Sequence, residues 1–202
     1  MKIHYYKYDL PDNLEIGQKI AIDTEAMGLN NIRDRLCTIQ LCDGTKNVHI
    51  VHFPTPNFEC KNLRNLLLQK DLLKIFHFAR FDVAIIQHSL GIDLENIFCT
   101  KIASKLVRTY TENHGLKILC DELLGVRLSK QERSSDWGAG ELSQEQMNYA
   151  ANDVIHLHKL MEILKARLKR EKRLEIAEEC FKFIPTRAKL DVLGWGEEIL
   201  QH

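Results

Sequence analysis

The stretch Ile20-Ala21-Ile22-Asp23-Thr24-Glu25, continued by Ala26-Met27-Gly28-Leu29, decides how the rest of the chain is read. Apolar and small residues lead into two carboxylates two positions apart. The side-chain period of two along a strand sets Asp23 and Glu25 on one face. Acids placed there repel unless something positive joins them, because an unpaired buried charge is strongly disfavoured. A metal ion is one answer and solvent is the other. If it is a metal, the remainder of the chain has to supply further ligands.

At 202 residues the chain suits one domain with a sizeable core and is short for two. Its 28 Lys and Arg residues balance 28 Asp and Glu. Net charge therefore advertises no long nucleic-acid partner and leaves a short or locally bound one open. Cys37, Cys42, Cys60, Cys99, Cys120 and Cys180 are scattered, without a Cys-x-x-Cys pair, mostly in apolar runs. They read as reduced core thiols. The opening Met1-Lys2-Ile3-His4-Tyr5-Tyr6 lacks the apolar region of a signal peptide, and no segment approaches the roughly 18 apolar residues of a membrane span. The expectation is a cytoplasmic protein with no membrane partner.

Lys2 to Tyr8 has strand-like content, broken by Pro11-Asp12-Asn13, and the central strand follows at about Lys19 to Thr24. Leu36 to Leu41 and Asn47 to Val51 are two further strands joined across the hairpin signal Asp43-Gly44, so three antiparallel strands open the domain. Beyond Pro54 and Pro56 the pattern alternates. A helix over Cys60 to Gln69 precedes a strand at Leu73 to Phe76, and a helix from Ala79 ends at Gly91. A strand at Ile97 to Cys99 precedes helices at Lys101 to Arg108 and Gly115 to Leu124. Leu128 to Gly140 reads as a polar surface loop. Ser143-Gln144-Glu145-Gln146 has the form of a capping box and starts one long helix running toward Arg170; a last helix, Glu171 to Ile184, stops at Pro185. The fold class is α/β, a mixed sheet covered by helices.

Two more places carry acids in suggestive settings. In Phe76-His77-Phe78-Ala79-Arg80-Phe81-Asp82 an acid occupies the first turn of a helix that follows a core strand, where the helix terminus favours negative charge. In Tyr149-Ala150-Ala151-Asn152-Asp153 a tyrosine and an acid four apart share a helix face, and the alanines allow close approach to a sheet. Asp23, Glu25, Asp82 and Asp153 are hard oxygen donors of the kind Mg²⁺ or Mn²⁺ prefers. Two such ions about 3.5–4 Å apart can hold a scissile phosphate, activate water and stabilise the leaving oxygen. Asp23 is the best candidate to bridge them. Tyr149 suits orientation of the attacking water, since a phenol near pKa ~10 is an inefficient base.

Asp23-x-Glu25, His77-x-x-x-x-Asp82 and Tyr149-x-x-x-Asp153 together resemble, in order and separation, the three exonuclease motifs of the DEDD superfamily, tyrosine subclass, and the chain is similar to the ribonuclease D-like group from about Ile20 to Leu160. The resemblance implies a ribonuclease H-like mixed sheet, two divalent metal ions and hydrolysis inward from a 3′ end. It also implies one exonuclease domain over residues 1–202, with a catalytic core of about 19–165 and a helical tail of 166–202. Full-length ribonuclease D carries further helical nucleic-acid-binding domains, and only some forty residues follow the helix of Asp153, so a grip on long RNA is expected to be absent. Arg108-Thr109-Tyr110-Thr111-Glu112-Asn113-His114-Gly115-Leu116-Lys117, Ser134-Ser135-Asp136-Trp137-Gly138-Ala139 and the tail Cys180-Phe181-Lys182-Phe183-Ile184-Pro185 are similar to the nano-RNase C group of alphaproteobacteria. That closer resemblance implies cleavage of very short RNA, especially 5′-phosphorylated dinucleotides such as pApA or pGpG, within a homo-oligomer, a ring-shaped octamer.

A small substrate agrees with a neutral chain, which cannot rely on the counterion release that drives binding of long nucleic acid. Leu29 is a candidate wedge against a base, with Met27, Gly28 and Phe81 lining the pocket or packing the turn. Arg80, Arg108, His114 and Lys117 are candidate phosphate contacts, a solvated surface role being the alternative for each. Trp137 either closes the site from its loop or anchors that loop. His77 is expected to pack or orient near the site without ligating, since the ions expected here prefer oxygen. The rival readings are a broader ribonuclease D-like exonuclease acting on longer RNA or single-stranded DNA, and a catalytically silent nucleic-acid-binding pseudo-exonuclease.

Overall fold

The structure is a computed structural model that describes residues 1–128 and 135–201; Ser134 lies outside the described residues. Six strands form one mixed sheet: β1 (Lys2–Lys7), β2 (Lys19–Ala26), β3 (Leu36–Cys42), β4 (Asn47–His52), β5 (Leu73–Phe76) and β6 (Ile97–Cys99), in the spatial order β1-β4-β3-β2-β5-β6. β2, β3 and β4 are antiparallel, as the hairpin signal at Asp43-Gly44 requires, and Gly44 takes the positive φ of the turn. β5 and β6 add to β2 in parallel through helical crossovers. The first strand does not extend the antiparallel set. β1 joins the far edge parallel to β4, with its outer edge unpaired among these six strands and a lysine at each end, Lys2 and Lys7.

Among the described residues seven helices flank the sheet: α1 (Lys61–Leu67), α2 (Ala79–Leu90), α3 (Thr100–Val107), α4 (Leu116–Leu124), α5 (Gln144–Ile155), α6 (Leu157–Arg170) and α7 (Leu174–Val192); a 3₁₀ turn follows at Glu197–Leu200. β3 is buried at every position and β4 at all but its first. Ile22, Ile39, Leu41, Ile50 and Phe76 form the centre of the core against Val83, Ile86, Ala150, Val154 and Leu160 from the helices. All six cysteines are unbridged and five are buried, in line with their reading as core thiols. Among the described residues no helix is long and apolar enough to cross a membrane.

Two helix boundaries differ from the sequence reading. The long helix expected from Ser143 to Arg170 breaks at His156, so that α5 packs on β2, β3 and β4 and α6 packs on β2 and β5. Adjacent strands of a twisted sheet rotate by roughly 20–25°, and a straight helix of that length cannot stay seated on both halves. The capping box at Ser143 and Gln146 is present as read. Pro185 does not stop the last helix; α7 runs through it to Val192. Proline removes one helical hydrogen bond. The burial of Phe181, Ile184 and Ala188, together with the pairing of α7 along α2, keeps the helix going, and the Gln87 amide donates to the Pro185 carbonyl at 3.3 Å.

The end of α7 is tied to the start of α2. Arg80 donates from Nε and Nη2 to the two oxygens of Asp191 at 2.7 and 2.8 Å and from Nη1 to Glu197 at 2.6 Å, while Arg187 donates to Asp191 at 2.5 Å and to the carbonyls of Trp195 and Gly196. Burial acts to raise the Asp191 carboxyl; the hydrogen bonds from Arg80 and Arg187 outweigh it and hold the group below the usual carboxylate range. A depressed pKa contributes stability above the unfolded value and loses it as pH falls through the folded value. Replacing Asp191 by Asn should therefore lower the melting temperature by a few degrees at pH 7, and the difference from wild type should begin to shrink as the pH falls below about 3.8 and vanish only below the lowered folded value. Thermal unfolding followed by circular dichroism between about pH 2 and 7 checks this; a gap that does not narrow in acid would show that the ion pairs are not its source.

Candidate active site

The sheet carries its acids at the end where β2 and β5 finish side by side. Asp23 and Glu25 project from one face of β2, and Asp82 enters from the first turn of α2, directly after β5. Asp153 and Tyr149 stand one turn apart on α5, whose Ala150 and Ala151 are fully buried against the sheet. One carboxylate oxygen each from Asp23, Glu25 and Asp153 lie within 4.8 Å of one another. Asp82 stands beside this trio and outside it. Its Oδ1 accepts hydrogen bonds from the Thr24 hydroxyl at 2.6 Å and the Thr24 amide at 3.0 Å.

The electrostatics follow from that crowding. Burial, then the charges of Asp82, Asp153 and Glu25, drive the Asp23 carboxyl well above its ordinary range, against one hydrogen bond from Gln40. Burial pushes Asp82 up to about 7 despite the bonds from Thr24. Thr24 and Gln40 are functional neighbours that the sequence reading missed. Gln40 lies opposite Asp23 in the β2–β3 register and donates from Nε2 to Asp23 Oδ2 at 2.9 Å, while its Oε1 accepts from Thr38. The signal was present: Thr38 and Gln40 are the polar residues of an otherwise apolar buried strand, at a spacing of two.

Residues 8–169 match the 3′-5′ exonuclease domain family. The chain belongs to that family. The exonuclease is 48% identical to Brucella melitensis NrnC over its whole length, with 99% of that chain covered and a TM-score of 0.95. The same Brucella protein has been solved bound to pGG, with 48% identity and a TM-score of 0.95 over 100% of this chain and 98% of that one. It has also been solved with bound Mg²⁺, with 47% identity and a TM-score of 0.94 over 100% and 99%. Ribonuclease D of Gluconacetobacter diazotrophicus is 35% identical over 156 residues, 77% of this chain. The exonuclease spans about two fifths of that relative's length, 39%. The mixed sheet with its flanking helices is the ribonuclease H-like exonuclease fold shared with NrnC.

Divalent-metal dependence goes with this family, and the donor set fits it. The charges that act on Asp23 are three further carboxylates, hard oxygens whose mutual repulsion a dication relieves. Asp23, Glu25 and Asp153 are close enough together that they could hold one.

The exonuclease treats the other sequence candidates unequally. Leu29 is 90% exposed and Met27 59% exposed on the loop after β2, so neither packs the turn. At Gly28 a β-carbon would fall 2.2 Å from Asp34 Oδ2, and Asp34 in turn accepts from the Asn30 amide and pairs with Arg33. A side chain at position 28 would have to displace the Asp34 carboxylate, and the loop carries Leu29 into solvent. Phe81 is half-buried against the core. Trp137 is 3% exposed with its ring centroid 6.1 Å from that of Tyr149, and its loop is fixed by Gln146 donating to the Asp136 carbonyl and Arg35 to the Gly138 carbonyl. It anchors the loop and walls Tyr149. His77 meets Thr100 at 2.9 Å, and burial, with Lys101 nearby, lowers it to about 3, so it is a neutral packing group.

The basic candidates need correction. Arg108 is wholly buried, its guanidinium spent on Glu122, the Ser104 hydroxyl and the Asn113 carbonyl, which leaves neither a phosphate arm nor a surface residue. His114 is buried on Ser104 at 2.9 Å. Arg80 is held by Asp191 and Glu197. Lys117 sits half-buried in the first turn of α4. Sequence spacing did not reveal that Arg80, Arg108 and His114 had partners inside the fold.

Removing one carboxylate from the crowd should stabilise the metal-free protein. Asp23→Asn is expected to raise the melting temperature in EDTA and to abolish the further rise that millimolar Mg²⁺ or Mn²⁺ produces in wild type. Calorimetry with and without metal tests it; equal metal-induced shifts in both proteins would remove Asp23 from the site.

Proposed function

We propose that this protein is a 3′-to-5′ exoribonuclease that hydrolyses short oligoribonucleotides, foremost 5′-phosphorylated dinucleotides such as pGpG, to mononucleotides with two divalent ions. The observation that carries the reading is the convergence of the Asp23, Glu25 and Asp153 oxygens, with Asp82 beside them and Tyr149 one turn from Asp153. It is supported by likeness over the whole chain to a Brucella protein solved with pGG. When bound, the ions supply positive charge that activates water and stabilises the leaving oxygen. In this reading Asp23, Glu25, Asp82 and Asp153 would hold the ions, with Thr24 orienting the Asp82 carboxylate. Tyr149, braced by Trp137, orients the attacking water. The exposed Leu29 and Met27 offer apolar contact to any base. A cytoplasmic location, one exonuclease domain and a homo-octameric ring complete the proposal.

The test is a time course on 5′-labelled RNA of two, three, seven and about twenty nucleotides. Preference for the dinucleotide supports the reading, and equal shortening of long strands moves it to a general ribonuclease D-like exonuclease. Asp153→Ala should abolish cleavage at an unchanged circular dichroism spectrum, and turnover in that variant would sink the ligand assignment. Tyr149→Phe should lose on the order of 10²-fold in kcat with substrate binding retained; an unchanged kcat would refute its role.

A further inference from the structure

Phe78 breaks two local rules at once. It is the N-cap of α2, a position where Ser, Thr, Asp or Asn would satisfy a free helix amide, and it makes no side-chain cap. Its backbone is left-handed, φ 65° and ψ 45°, a region that favours glycine and is costly for a bulky residue. Strain of this kind persists where the surroundings or function require it. The side chain is not buried in return, being 48% exposed. It lies two residues past the end of β5 on the side where the carboxylates gather. β5 pairs in parallel with β2, Ile75 opposite Ala21, and Phe78 stands four residues before Asp82, which Thr24 of β2 holds.

The neighbouring parallel strand adds a cation. Phe76 pairs with Cys99 of β6, and two residues beyond it Lys101 places Nζ 3.8 Å from the centroid of the Phe78 ring. The pair is fixed from beneath by Thr100, which meets His77 at 2.9 Å and donates to the Phe76 carbonyl at 3.1 Å. An exposed aromatic face beside an acid-lined edge, steadied by a lysine on one side, has the form of a stacking platform.

We infer that Phe78 is a base-stacking residue of the substrate site and that Lys101 is the positioning residue that holds its ring. The inference rests on the exonuclease reading and adds a specificity element opposite the Met27 to Leu29 loop. Because a phenyl face accepts any base, the platform selects for the presence of a base and not its identity.

The test compares wild type, Phe78→Gly and Phe78→Trp on pGG and on the same dinucleotide with either base removed. Glycine keeps the left-handed backbone, so the fold and kcat should hold, kcat within twofold. KM for pGG should rise about 5- to 150-fold, the range that 1–3 kcal/mol of stacking represents. Phe78→Trp should restore KM. Removing the stacked base should cost wild type a similar factor and Phe78→Gly nothing further. Lys101→Met should raise KM by a smaller factor, with Lys101→Arg restoring it. An unchanged KM in Phe78→Gly, losses that multiply on the abasic substrate, or a melting temperature that falls together with kcat would overturn the assignment. Wild type that fails to cleave any RNA would overturn the exonuclease reading itself.

Discussion

Repulsion among Asp23, Glu25, Asp82 and Asp153 is the constraint to which the rest of this structure answers. Four acids from three distant stretches of chain meet where low dielectric makes like charges expensive. Each is delivered by a rigid element: a central strand, the first turn of a helix seated on the core, and a helix brought close by two alanines. Thr24 and Gln40 take up one oxygen each of Asp82 and Asp23, which fixes rotamers without neutralising charge. Such outer partners commonly tune metal affinity as much as the ligands do. The fold stores the unfavourable proximity, and the cofactor is what makes the arrangement favourable.

Much of this was legible in the sequence, for identifiable reasons. The strand at Leu73 to Phe76 and the helix from Ala79 to Leu90 were readable because apolar period and stop signal agreed, with Gly91 supplying the left-handed C-cap. The carboxylates were readable because three short motifs recur in a fixed order. What stayed hidden depended on tertiary geometry. The partner of β1 is forty-five residues away in register, from Lys2 to Asn47, and nothing local encodes a parallel edge. The break at His156 comes from the twist of the sheet beneath it. Passage of α7 through Pro185 comes from packing on α2, against a residue that locally argues for an end.

The cations show the same limit from the other side. A sequence displays that Arg108 is charged and cannot display that Glu122, one helix away, claims it. An arginine wholly within the protein, bonded to a carboxylate, a hydroxyl and a carbonyl, organises the junction of α3 and α4 and is unavailable to a substrate. Exposed apolar and aromatic surface follows the ends of β2 and β5: Leu29 and Met27 on the loop after one, Phe78 after the other. Under the proposed function such surface would meet the faces of bases.

The parallel placement of β1 has a consequence for how this protein tolerates crowding in its own company. Its outer edge is a row of backbone donors and acceptors, a template on which another strand can add. In an antiparallel pairing of two such edges about their centre, Lys2 of one copy faces Lys7 of the other at both ends, and like charges opposed across a ladder weaken it. The opposite edge, β6, is three residues long and packed against α7, with the Phe98 ring tilted against that of Phe181. Both margins of the sheet are thus guarded against runaway strand addition, one by charge and one by brevity and cover.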